Sequence, residues 1–234
     1  MTLRQLPFGL GAIPSPPDDR DYQLPLDTAA PLPSRFVSTL MPPVANQGST
    51  GRCVAFSSRG AKQWEERRDG HGFLDLDAQW LYERAQAVDG IPLPHEGTTC
   101  RAALSVLLKQ GMPVVGQPAT GQNRIAAYWA VPLTVDAIKR AVLQQGPVLI
   151  ASTWFNSWFR PVKGVLPAPS GGVAGGHARI AFGWDDGVNG GSLLVRNSWG
   201  KSWGVNGNSY DAYRYLLPAM HDAWRADDVK GDPA

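Results

Sequence analysis

An α+β protein is predicted by three features of the chain. Apolar periodicity is helical as far as about residue 110, alternating segments dominate after Gly146, and Gly-rich turns separate those segments. The first 43 residues stand apart, because they hold nine of the twenty prolines and little periodicity, which predicts an extended arm. Tyr22, Phe36 and several leucines give the arm apolar surface to bury, so it is expected to dock on a folded body. From Cys53 onward, Cys53, Phe56, Gly60 and Trp64 recur at helical spacing while Lys62, Glu65, Glu66 and Arg67 fall mostly elsewhere. That pattern predicts a helix with one buried stripe. Helices are also expected over 77–88, over 98–110 with Thr98 or Thr99 as N-cap and Gly111 past the last turn, and over 135–145, closed by Gly146-Pro147. Strands are expected over 148–153, 177–184, 192–197 and 210–216.

Composition narrows the function classes. At 234 residues with 43% apolar content and nine Trp, the chain can build a sizeable core. Its 22 basic and 20 acidic residues are scattered, with no basic block longer than Arg67-Arg68, which argues against nucleic-acid or membrane partners and leaves a monomer as the simplest state. No run approaches about 18 apolar residues, and the first twenty carry Arg4, several prolines and Asp18-Asp19 where a secretory leader has an apolar centre. A cytoplasmic protein, or one exported without such a leader, is expected. Cys53 and Cys100 are the only cysteines, which fits a reducing compartment better than a disulfide framework. His71, His95, His177 and His221 lie far apart with no metal-ligand spacing, so a structural zinc site is disfavoured.

Two distant segments carry the chemistry. Gln47-Gly48-Ser49-Thr50-Gly51-Arg52-Cys53 places a thiol at a helix N-terminus, whose partial positive charge favours thiolate. An inert core cysteine is the plain alternative for that datum alone. Downstream, His177 follows Gly175-Gly176 and opens the alternating run His-Ala-Arg-Ile-Ala-Phe-Gly. Asn197 ends the apolar run Leu193-Leu194-Val195, from where its amide oxygen could orient the imidazole if the two strands are neighbours. The Gln47 amide and the Cys53 N–H could together bind an oxyanion. These groups make a set for thiol-dependent acyl transfer.

In this order the segments resemble the papain-like cysteine peptidases, with a bacterial or phage flavour in Pro17 to Tyr22. The resemblance rests on Val44-Ala45-Asn46-Gln47-Gly48 through Cys53-Val54-Ala55-Phe56-Ser57, on Gln145-Gly146-Pro147-Val148, on Gly176-His177-Ala178, and on Asn197-Ser198-Trp199-Gly200 with Ser202-Trp203-Gly204. It implies a two-lobed fold with a helical lobe over about 44–132 and a β-barrel-like lobe over about 133–234, the active site lying between them. It further implies Cys53 as nucleophile, His177 as general acid/base, Asn197 as orienting residue and Gln47 as oxyanion donor, acting on a protein or peptide with no metal or organic cofactor. Trp199 would shield the His–Asn bond, Gly97 would contact substrate backbone, and Ala151 and Ala178 would wall a specificity pocket suited to a bulky apolar side chain. Some positions depart from the family's pattern. Thr50 stands where a cysteine is usual, Arg52 and Val54 flank the thiol in place of a small residue and tryptophan, and Gly176 replaces an aspartate often found there. A binding module without catalysis, or a thiol-dependent amidase or acyltransferase, are the competing readings. The arm is expected to cross part of the cleft and restrain activity.

Overall fold

The computed structural model describes residues 7–229; residues 1–6 and 230–234, the outer ends of the expected arm and β lobe, lie outside them. The arm carries two short strands, β1 (Ala12–Ile13) and β2 (Arg35–Val37). Helix α1 (Cys53–Arg68) starts at Cys53 after Arg52, with no side chain capping its first turn. Helix α2 (Ala78–Gln86) starts where the Asp77 carboxylate accepts the Gln79 and Trp80 N–H groups. After β3 (Thr98–Thr99), the Thr99 hydroxyl accepts the Ala102 N–H to open α3 (Cys100–Gln110), which stops at Gly111. Leu81, Leu104 and Leu107 are buried between these helices, each worth roughly 2 kcal/mol of burial.

Strand β4 (Ile125–Ala130) and helix α4 (Val135–Gln144), capped by Thr134, lead into the sheet. The sheet strands are β5 (Val148–Phe155), β6 (Val173–Asp185), β7 (Ser192–Arg196), β8 (Asn208–Ala212) and β9 (Met220–Asp228). Their order is β4-β9-β5-β6-β7-β8, all antiparallel, with β2 added beside β6. Among the described residues β4 and β8 do not pair, so the β-barrel-like lobe is an open seven-stranded sheet and not a closed barrel.

Two expectations about elements change. Residues 210–216 do not form one strand, because β8 ends at Ala212 and Tyr213–Leu216 turn into a short helix, α5, that buries Leu216. Strands β4 and β9 were not expected from the sequence. In β9, Asp222, Arg225 and Asp228 are buried and paired with other polar groups, so the strand lacks the alternation that marks a half-buried one. β4 places a stretch of the expected helical lobe in the sheet.

Candidate active site

The helix start and the sheet bring the sequence-predicted residues together. Gly200 N–H donates to Ala45 O and Gln47 N–H to Ser198 O, which ties the segment before Cys53 to the segment after Asn197. Cys53 opens α1, and its thiol lies near the backbone N–H groups of Ala178, Gly11, Val54 and Cys53 itself. Those donors favour thiolate, but complete burial outweighs them and pushes the Cys53 thiol up to about 11.

His177 lies on β6, opposite Ser152 of β5. Its Nε2 hydrogen-bonds to Asn197 Oδ1 at 2.8 Å. Its Nδ1 is buried with no hydrogen-bond partner among the described residues. If Nε2 carries the proton it donates to Asn197, Nδ1 is then a free base. Burial holds the imidazole well below the usual histidine range, the Arg179 cation lowers it further, and the Asn197 hydrogen bond opposes both. Trp199 stacks on the imidazole at 4.2 Å and 22°, which covers the His–Asn pair from solvent. Asn197 itself is held by its N–H donating to Gly207 O.

Gln47 is fully buried. Its Oε1 accepts the Ser198 hydroxyl at 2.6 Å, and its Nε2 donates to Thr50 O at 2.8 Å and to Gly9 O at 3.2 Å. Arg52, adjacent to the thiol, has its guanidinium drawn to Thr50, Gln79 and the Gln47 carbonyl and lies 5.6 Å from the Phe56 ring centre. Ala178 pairs with Ala151, and Ala151 with Asp222, so three neighbouring strands carry a row of two small side chains and a carboxylate.

The arm fills the cleft that these residues line. Phe8 stacks on the outer face of Trp199 at 4.7 Å. Gly9 O accepts from Trp199 Nε1 at 3.3 Å as well as from Gln47. Gly11 N–H donates to Gly176 O at 2.9 Å, and Gly11 O accepts the Thr98 N–H at 2.9 Å. β1 then runs parallel to β3, so Ala12 and Ile13 lie beside Thr98 and Thr99, next to Gly97. Ser15 N–H donates to Asp222 Oδ2, and the Asp21 carboxylate pairs with Arg101 at 2.8 Å. This path explains Gly176, where a Cβ would stand 2.0 Å from Ala12 O. Cys53 and His177 are consequently 0% exposed. Sequence reasoning missed Phe8 to Gly11, Arg179 and Asp222. The signals available were Gly9-Leu10-Gly11 in a proline-rich arm and single charges inside two apolar stretches.

No group of three His, Cys, Asp or Glu side chains among the described residues is placed to hold a metal ion. No described helix is long and apolar enough to cross a membrane.

Comparison with known proteins agrees with the fold. Over 98% of its length the chain superposes on xylellain, a cysteine protease from Xylella fastidiosa, with a TM-score of 0.85 at 24% identity, covering 99% of that chain. It also superposes on digestive procathepsin L 3 of the Tenebrio molitor larval midgut, with a TM-score of 0.70 at 18% identity over 94% of this chain and 76% of that one. The fold is therefore papain-like. Residues 109–213 match the model of the papain family cysteine proteases. Cysteine proteinase A of Leishmania mexicana is 26% identical over 181 residues, 70% of this chain and 50% of that protein. A cathepsin B-like cysteine proteinase 5 of Caenorhabditis elegans is 36% identical over 81 residues, 34% of this chain and 23% of that protein. The chain spans about half the length of the first curated relatives it matches. Sequence and fold comparisons thus agree in their similarity to papain-family cysteine proteases.

Proposed function

We propose that the protein is a cysteine peptidase in which Cys53, His177, Asn197 and Gln47 act together on a peptide bond. The observation that carries this reading is the imidazole of His177, held through Nε2 by Asn197 and offering an unpaired Nδ1 on the strand whose next N–H reaches the Cys53 thiol. Nδ1 takes the thiol proton, and the sulfur attacks the amide carbonyl. Charge then develops on the carbonyl oxygen, where Gln47 Nε2 and the Cys53 N–H would donate. His177 returns its proton to the leaving amine, and water hydrolyses the thioester. Cys53→Ala should abolish turnover of peptide substrates while the far-UV circular dichroism spectrum stays unchanged. Turnover at the wild-type rate in that variant would refute the mechanism.

The arm, through its stretch from Phe8 to Ser15, acts as a cover that withholds the thiol from substrate. Gly9 O already uses the Gln47 donor, and the arm's burial of Cys53 keeps the thiol protonated. The two alanines alone favour an apolar side chain in the pocket they wall. Asp222 at the end of their row adds a carboxylate, whose Oδ2 meets the arm's Ser15 N–H and His221 Nδ1 and whose Oδ1 accepts from Trp224 Nε1. A basic side chain two residues before the scissile bond therefore suits the pocket better than an apolar one. A peptide library should be cleaved faster with Lys or Arg there, and Asp222→Ala should erase the preference. Equal preference in both proteins would return the pocket to the apolar reading.

A further inference from the structure

We infer that the buried Arg179–Asp211 pair is a positioning device for His177, setting how readily the imidazole holds a second proton; the inference rests on the peptidase reading for its purpose but not for its test.

Arg179 follows His177 by two residues on β6, so both side chains leave the same face of the strand. Its guanidinium donates to the Ser152 hydroxyl at 3.0 Å, and Ser152 is the residue paired across the sheet with His177. It lies 4.8 Å from the ring centre of Trp154, and that ring meets the imidazole edge-on at 4.9 Å. On its far side Arg179 is bonded to the Asp211 carboxylate of β8, which also accepts the Ser209 hydroxyl at 2.6 Å. Both members of the pair are fully enclosed, at 0% side-chain exposure each.

Such a pair is poorly explained as a stabiliser. Removing two charges from water is costly, and well-packed apolar residues in their place are often as stable or more so. Arg179 Nε also lacks an acceptor among the described residues, so its donors are not all used. What the arrangement does supply is a fixed cation behind the imidazole, partly neutralised by a carboxylate farther away. Asp211 limits the penalty that Arg179 places on imidazolium, and Trp154, in contact with both the guanidinium and the imidazole, holds the imidazole plane. The other groups around the imidazole are Ser152 from β5 and Asn197 and Trp199 from the segment after β7, while the Cys53 thiol meets the N–H of the next residue, Ala178, and Phe8 of the arm lies against Trp199. Apart from Cys53 these carry no titrating charge.

Nitrogen-15 NMR of the imidazole, assigned with His177→Ala, reads the protonation midpoint whether or not a peptide is cut. In the full chain, Asp211→Asn should lower the midpoint by about one pH unit and Arg179→Met should raise it by a similar amount, because a like charge disfavours the charged form. Each single variant strands a buried charge and could fail to fold. The double variant Arg179→Met/Asp211→Asn strands none, and it should also raise the midpoint, since the nearer cation is lost with the farther anion. A double-variant midpoint equal to that of the wild type, or a lower one, would overturn the inference. Expected shifts in a protein that cuts no peptide would sink the peptidase reading and leave this one standing.

Discussion

At the scale of single residues, Asn197 illustrates how one hydrogen bond can decide a proton's location. Its oxygen accepts from His177 Nε2, so the basic lone pair falls on Nδ1. Asn197→Ala should lower kcat at least tenfold with a smaller effect on KM, measured on any peptide the wild type cleaves. An unchanged kcat would mean that Trp199 stacking alone holds the ring. Arg52, which flanks the thiol where the family usually has a small residue, is tied to Thr50 and Gln79. Its side chain is long enough to leave the thiol, a freedom that sequence adjacency does not reveal.

At the scale of elements, the arm is the decisive one. It is held across the cleft by backbone hydrogen bonds at Gly9, Gly11 and Thr98, each worth about 1 kcal/mol net, and by the Phe8–Trp199 stack, worth about 1 kcal/mol more. Contacts of this size suit the proposed cover, being strong enough to hold it and weak enough to let it lift. Farther along, Arg140 donates to the carbonyls of Asp27 and Ala30, and β2 extends the sheet, so the arm stays attached if its first part lifts. Gly11→Leu should dislodge that first part, because a Cβ there would stand 2.1 Å from Gly51 O. Faster peptide turnover and faster alkylation of Cys53 by iodoacetamide are expected, with thermal stability lowered only modestly. Slower turnover would show that the arm assists the site and does not cover it.

At the scale of the whole molecule, a buried ionic cluster joins α1 to β9. Lys62 pairs with Glu66 and Asp228, and Glu65 with Arg225 and Arg68. Burial pushes the Glu65 carboxyl up to about 7, against the pull of both arginines. The folded state then keeps a proton that the unfolded chain loses near its ordinary value of 4.5, so stability falls as pH rises through that window and levels off above it. Urea midpoints measured from pH 4.5 to 7.5 should decline in the wild type and decline less in Glu65→Gln. Parallel curves would assign the slope to other groups. Four helices, three of the four expected strands and the four side chains proposed to react were legible in the sequence, because caps such as Asp77 and Thr99, apolar periods and short motifs are local and survive without neighbours. β9 was hidden, since its charges are satisfied only by side chains from distant segments. The same limit applies to function. The amino-acid order by itself determined which groups could perform thiol chemistry and which fold could carry them. Only the tertiary structure decided that the arm lies over the thiol, that Asp222 ends the alanine row and that a buried cation stands behind the imidazole, because the energy of a charge or a thiol depends on what surrounds it in space.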